Sequence, residues 1–507
     1  MADQLVGYNG LIHSRSLLCR PDRSTSRVSS RYAVKQIRES ADGSREVIYP
    51  HQFAFDDTLP RHLEFCLKHE GINLEILKAL FDKTGPQPYT DWLGNSPSSL
   101  YARRVCFLYE WLLGHTLPVP DVTLGYYTPV ADAGRYFLPE GSRERRFRVI
   151  NNLPGSSAFC PLVRRTPILE AFIGKNLKGG ITAALADMDA EALARAVDYL
   201  YLAETKSSYG IERETPTPER MRRFRLLLEV AGEEVALDED CFVGWQNEIM
   251  EPRRREAGFR TTQNWLGKSG YRHRLRADYI PPAAEDVDPL MQGLADYCRR
   301  AERGDIDAVI AAACASFGFV FIHPFMDGNG RLHRFLLHHL LRRTGFTPPG
   351  ALVPVSSVMY ANLEAYSGIL HAFSKPVMAL LEYYIGENNE AITVTSRHPR
   401  DFYAYFDATR MVEYVYGAIE KAVEEDLPLE IAYLQCYDAA YGRINARMDM
   451  PGRELDLFIQ VAVDNGGSLS NSKRKSHFAL LTQPQIAEME SIIGECFGPF
   501  FAKQKAS

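Results

Sequence analysis

Apolar positions along this chain recur at helical spacing far more often than at a strand's. From Ser98 to Leu113, the residues Leu100, Val105, Phe107, Leu108, Trp111 and Leu112 mark one helix. Ala183 to Thr205 is Ala-rich with interspersed acids, a composition that favours another. Pro216 and Pro218 break the pattern before a helix from Glu219 to Val230. Helices are predicted again from about Val287 to Glu302, from Ile306 to Phe319 and from Arg331 to Arg343, with a helical tail beyond His398-Pro399. Strand signals are few. Val28 to Val34 and Glu46 to Tyr49 are candidates near the start. Tyr126 to Pro167 is rich in turn residues. A hairpin is expected with strands Phe259 to Leu266 and Arg272 to Ile280 and a turn around Gly267-Lys-Ser-Gly270. The class is mainly α.

Length changes this picture first. A chain of 507 residues exceeds one ordinary core, so two or three domains are expected. Apolar residues at 46% and charged residues at 24% are the balance of a globular protein. A net charge of -6 gives no whole-chain basic footprint for nucleic acid. The nine cysteines form no Cys-x-x-Cys pair and are odd in number, which points to reduced, mostly buried thiols. The longest apolar stretch, Ala308 to Ile322, falls short of the roughly 18 residues of a spanning helix. The N-terminus lacks the basic-then-apolar order of a signal peptide. A cytoplasmic protein without a membrane partner is the expectation.

Candidate chemistry concentrates in His323-Pro-Phe-Met-Asp-Gly-Asn-Gly-Arg-Leu-His-Arg334. Asp327-Gly-Asn-Gly330 is a tight loop between two helices, and its glycines let backbone N–H groups approach a ligand. The helix that follows offers unpaired N–H groups and a partial positive charge, which suits phosphate. Arg331 and Arg334, three apart, project from one face of its first turn. Asp327 can ligate Mg²⁺ alongside nucleotide phosphates. His323 can accept a proton from an attacking hydroxyl. Read singly, His323 could be a helix-terminal histidine, Asp327 a turn residue and the two arginines a solvated face. His333, His338 and His339 are assigned to a solvated face, because no metal-like partners accompany them.

The string resembles the signature of the Fic family, His-x-Phe-x-Asp/Glu-Gly-Asn-Gly-Arg-x-x-Arg, at every fixed position. Gly258-Phe-Arg through Trp265-Leu266-Gly267 to Tyr279-Ile-Pro-Pro looks like the family's flap, a hairpin that holds the target segment. Asn362-Leu-Glu-Ala-Tyr366 resembles the element bordering the nucleotide. Ser208 and Glu212 match the family's inhibitory helix, Ser/Thr-x-x-x-Glu-Gly/Asn, with Arg213 in place of the usual small residue. The resemblance runs from about Ser98 to Asn388.

What the resemblance implies is a Fic-type helical bundle at 96–395, with an inhibitory helix at about 183–213 and a flap at 258–281. It implies transfer of AMP from ATP to a hydroxyl of a target protein. His323 would be the general base and Asp327 would hold Mg²⁺. Gly328, Asn329 and Gly330 would cradle the α- and β-phosphates. Arg331 would bind the β-phosphate. Arg334 would bind the γ-phosphate, or pair with Glu212 when inhibited. Phe325 would anchor the loop, Asn362 and Tyr366 would border the nucleotide, and Trp265, Leu266 and Gly267 would dock the target. A different transferred group, or removal of AMP by the same site, stays open. So does a nucleotide-sensing regulator that binds DNA. Residues 1–95 match no module. The region 396–507 carries Gly466-Gly-Ser-Leu-Ser and Lys473-Arg-Lys475 between apolar helices, a helix-turn-helix-like pattern. Three basic residues are usually a solvated face, so a target-binding or dimerisation module is favoured over DNA binding.

Overall fold

The stretch Ala308–Ile322 is apolar on every side, and a helix of that kind is stable only when surrounded. In the computed structural model it is buried almost along its whole length. Asp307 caps it, its carboxylate accepting the N–H of Val309 and of Ile310 at 3.0 Å. Helices Val287–Glu302 and Asn329–Arg343 pack against it. Each large apolar side chain buried here, such as Phe317, Phe319 or Ile322, contributes about 1.5–3 kcal/mol. This three-helix core is what holds the loop between Ile322 and Asn329.

The structure describes residues 3–40, 44–186, 190–269, 275–348, 350–386 and 391–504. The fold is mainly α, and the chain divides into two units. The first comprises Met1–Gly174, Ser208–Phe346 and Asn362–Tyr416. Its N-terminal part carries a four-stranded sheet of β1 (Gln4–Val6), β2 (Ser24–Ser29), β3 (Gln36–Glu39) and β4 (Arg45–Pro50), in the order β1-β2-β4-β3. Val6, Val28, Val47 and Tyr49 from this sheet pack with Phe65. The strand expected from Val28 to Val34 ends at Ser29, where the Ser29 hydroxyl accepts the N–H of Arg31 and turns the chain.

The turn-rich stretch before Pro167 contains a small sheet, β5 (Thr128–Pro129), β6 (Ser142–Glu144) and β7 (Val149–Asn151). Strands this short leave little alternation to read. The hairpin exists as β8 (Leu266–Ser269) and β9 (Leu275–Tyr279), with the expected turn residue Gly270 and Arg272 outside the described residues. Its first strand is shorter than expected. Phe259 and Arg260 spend their backbone N–H groups on the Glu239 carboxylate and the Pro324 carbonyl, so this segment cannot join a ladder. A further hairpin, β10 (Tyr383–Ile385) with β11 (Ile392–Val394), was not expected.

The second unit comprises Lys175–Ser207, Thr347–Ala361 and Gly417–Ser507. Helices Leu427–Asn445, Gly452–Asp464 and Gln483–Gln504 enclose Leu455, Phe458, Ile459, Met489 and Ile493. In the short helix Asn471–His477, Arg474 turns to the carboxylate of Glu490 with bonds of 2.8 and 2.9 Å. That contact uses the central cation of the basic trio. Among the described residues no helix is long and apolar enough to cross a membrane. All nine cysteines are free.

Candidate active site

His323 ends the central helix in the left-handed conformation, φ 54° and ψ 60°. A histidine tolerates this turn better than a branched residue does, and the turn aims its ring back at the helix. Nδ1 lies 3.2 Å from the Val320 carbonyl, a partner that fixes the proton on Nδ1 and leaves Nε2 as the acceptor. Burial pushes the imidazole down to about 4; the Val320 carbonyl works against that shift, and the Arg260 guanidinium adds to it. A neutral base at ordinary pH results.

Arg260 is one residue that the sequence did not single out. It is buried, and burial lowers its guanidinium to about 10. Nε donates to the His323 carbonyl at 2.9 Å, Nη2 to Pro282 at 2.5 Å and Nη1 to Thr262 at 3.1 Å. It therefore clamps the flap's base to the histidine's backbone. Asn264 sends its amide towards the carbonyls of Phe325 and Met326, both at 3.4 Å. Glu256 accepts the N–H of Met326 at 2.8 Å and of Asp327 at 3.4 Å. Residues outside the motif thus hold the loop's backbone, and no short pattern announced them.

Within the loop, Asn329 grips Phe325 at both ends. Its Oδ1 accepts the Phe325 N–H at 3.0 Å and its Nδ2 donates to the Phe325 carbonyl at 2.7 Å. The Phe325 ring is fully buried, 5.6 Å from the ring of Phe259, and anchors the loop from beneath. Gly328 has φ +90°, which a side chain would resist. The helix Asn329–Arg343 then starts with no side-chain cap. Its first N–H groups are open to an anion.

Every charged side chain of the motif is paired. Arg334 donates from Nη2 to Glu212 Oε1 at 2.8 Å and from Nε to the Ser208 hydroxyl at 2.8 Å. Arg331 is 2% exposed, with Nη1 3.4 Å from Glu214 Oε2, its guanidinium 5.1 Å over the Tyr209 ring, and Nε without a hydrogen-bond partner. Asp327 receives Arg254 Nη1 at 2.6 Å on Oδ2 and the Gly328 N–H at 2.7 Å on Oδ1. Glu212 also stands against Gly330: a Cβ there would lie 3.0 Å from its Cδ. An oxyanion already sits at the start of the motif helix.

Two residues place these carboxylates. The helix Ala190–Ile211 ends in the first unit with its last turn, Ser208 to Ile211. Arg213 then takes φ +58°, and the N–H of Glu214 returns to the Tyr209 carbonyl at 3.1 Å. The reversal brings Glu212 to one arginine and Glu214 to the other. Glu214 was not singled out from the sequence.

Tyr366 is buried beside Arg334, which hydrogen-bonds its hydroxyl; burial raises that phenol and Arg334 moderates the rise. Asn362 is exposed and caps the helix Leu363–Met378, accepting the Ala365 N–H at 3.0 Å. Leu266 is exposed, and Trp265 packs its ring over Gly267. The flap reaches the loop through Arg260 and Asn264. His333, His338 and His339, expected on a solvated face, are all buried. The motif helix is enclosed on nearly every side, so its polar residues turn inward; His333, for one, lies 2.7 Å from the Ser316 hydroxyl.

A metal would find one carboxylate here. Asp327 is partly exposed at the cleft, and among the described residues no group of three or more His, Cys, Asp or Glu could hold an ion. Such a site suits Mg²⁺, which commonly binds through one or two carboxylates and completes its shell with phosphates and water.

The Fic/DOC family model matches residues 236–341. Protein adenylyltransferase fic-1 of Caenorhabditis briggsae is 33% identical over 154 residues, 28% of this chain and 28% of that protein. Protein adenylyltransferase Fic of Nematostella vectensis is 33% identical over 111 residues, 20% of this chain and 24% of that one. The chain thus spans roughly a quarter of the length of these relatives. Among solved structures, a Fic family protein from Desulfovibrio desulfuricans G20 aligns at 20% identity and a TM-score of 0.39, covering 65% of this chain and 89% of that one.

Proposed function

Starting from a chain that carries a Fic/DOC family domain at residues 236–341, we propose that it transfers AMP from ATP to a hydroxyl side chain of a protein, and that Glu212 restrains the reaction. The observation that carries this reading is the Glu212 carboxylate seated against Gly330 and paired with Arg334. A site that takes one oxyanion at a helix N-terminus, with two buried arginines, is built for phosphates. His323 adds the base.

In the reaction, Nε2 of His323 takes the proton of the target hydroxyl. The freed oxygen attacks the α-phosphorus, an O–P bond forms, and the bond to the β-phosphate oxygen breaks to release pyrophosphate. The backbone N–H groups at Gly328 to Gly330 hold the α- and β-phosphates. Arg331 and Arg334 neutralise the leaving group. Asp327 would hold Mg²⁺, which would supply charge neutralisation at the phosphates. Positioning and preorganised charge account for most of the rate in such transfers. Asn362 and Tyr366 border the nucleotide, while Trp265, Leu266 and Gly267 dock the target.

The test is incubation of the whole chain with ATP labelled on the α- or γ-phosphate. Label from the α position on protein, absent from the γ position, supports AMP transfer. Label from the γ position would mean phosphoryl transfer, and the proposal would fall.

A further inference from the structure

One cavity in the first unit lies away from the motif, between the N-terminal segment around Arg20–Arg23 and the helix Leu363–Met378. Its volume is roughly 530 Å³, within the range of small-molecule sites. Five cations line it, Arg20, Arg23, Arg164, Lys375 and Arg410, against the three carboxylates Asp22, Glu75 and Asp407.

All three carboxylates are already engaged. Glu75 takes Arg20 Nε at 2.7 Å, and the same guanidinium is fixed by the carbonyls of Phe402 and Tyr405. Asp22 accepts the Ser24 N–H and the Asn73 amide, both at 2.9 Å. Asp407 gives one oxygen to Thr409 and shares the other between Arg164 Nε at 3.2 Å and Arg23 Nη1 at 3.6 Å. Asp22 also acts on Arg164 through its charge, so these two guanidiniums face two carboxylates, and the positive charge in excess is carried by Lys375, which has no ion pair among the described residues.

The rest of the wall is of two kinds. Phe373, Phe406 and Met411 give apolar surface. Pro376 stands inside the helix and lines the same wall. A mouth with surplus cations over an apolar floor selects an amphipathic anion.

We propose that this cavity binds a small organic anion, with its carboxylate or phosphate head on Lys375, Arg23 and Arg164 and its apolar body against Phe373 and Phe406. The site is separate from the motif loop and independent of the proposed transfer reaction.

Calorimetric titration of the full chain tests it, with phenyl phosphate, benzoate and uncharged benzyl alcohol as probes. One anion or both should bind, and the alcohol should not. Lys375→Glu should weaken that binding at least ~10-fold, the loss of a charge-assisted contact. Lys375 is exposed, so an unchanged melting temperature without probe checks that the variant is folded. Arg334→Ala, at the phosphate site, should leave the binding unchanged. Preference for phenyl phosphate assigns a phosphate head, and preference for benzoate a carboxylate. Three results overturn the proposal: neither anion binds, Lys375→Glu binds as wild type does, or binding vanishes in Arg334→Ala.

Discussion

Glu212 leans over Gly330 so closely that any side chain at that glycine would meet the carboxylate. The same carboxylate holds Arg334 at 2.8 Å. On the proposed function, a triphosphate entering this cleft would meet a negative charge in place of its own oxygens and would find one arginine occupied. Glu212→Gly should therefore raise self-modification with labelled ATP. A misplacement of about 1 Å costs ~100-fold in rate, which sets the scale of the gain. Arg334→Ala should give no such gain, because it deletes a phosphate ligand together with the latch. Equal rates for wild type and Glu212→Gly would remove Glu212 from this role.

Glu214 is the second carboxylate on the site, between Arg331 at 3.4 Å and Arg220 at 2.5 Å. Glu214→Ala should lower the KM for ATP, by about fivefold or less, since releasing a charged pair of this kind is worth roughly 1 kcal/mol. Both glutamates hang from one turn at Arg213, so the double variant should gain less than the product of the two. Steady-state kinetics on the four proteins measures this. A KM unmoved by Glu214→Ala would show that its pair with Arg331 does not compete with nucleotide.

Arg254 holds Oδ2 of Asp327, the carboxylate proposed to hold Mg²⁺. Both partners are partly exposed, so the pair is worth at most about 1 kcal/mol. Arg254→Ala should reduce the Mg²⁺ concentration for half-maximal activity by up to about fivefold. Asp327→Ala should abolish the Mg²⁺ dependence and most activity with it. A magnesium titration that is identical in wild type and Arg254→Ala would refute the competition.

His323 is neutral in the folded protein down to about pH 4, against an ordinary value near 6.5. Burial shifts His333 to about 3 and His339 to about 4 in the same direction. Between these values and about 6.5 the unfolded chain binds more protons than the folded one, so stability rises with pH through that window and falls as pH drops. Each imidazole contributes at most about 1.4 kcal/mol per pH unit there. Chemical denaturation at pH 7.5 and 5 should show a clear loss at 5, reduced in His333→Asn. Transfer should hold to about pH 5 in wild type and be lost at every pH in His323→Ala, where a missing base costs ~10²–10⁴ in rate. A rate that halves near pH 6.5 would contradict a depressed base.

Leu266 pairs with Tyr279, and a register shift follows directly at Gly267. Extended peptides add to exposed edges through main-chain bonds. Leu266→Pro removes one N–H and should raise the KM for a protein target several-fold with the KM for ATP unchanged. Kinetics on a purified target would exclude the hairpin as the docking edge if neither constant moved.

The helices of the core were legible because their signals are local. Val287–Glu302 follows a 3.6-residue period, and Ala308–Ile322 is too apolar to lie anywhere but inside. The motif was legible because the loop's glycines, histidine and arginines are contiguous. Arg260, Glu256 and Glu214 were not, since each acts on backbone or side chains distant in sequence. The burial of His333, His338 and His339 was hidden for a related reason. A polar residue on a helix reads as exposed unless its partners are known, and Ser316 belongs to another helix.

Arg213 completes the turn behind Glu212 in the left-handed region, where most side chains are strained by about 1–2 kcal/mol and glycine is not. That strain belongs to the turn as it stands, with the helix end folded over the arginines. It subtracts from the depth of the closed state, by a factor of about five to thirty in population. If Glu212 restrains transfer as proposed, the restraint is shallow, and a partner that grips the open form need supply little binding energy to tip it. On that reading Arg213 is a sensitivity setting, which leaves the closed state within reach of a weak signal.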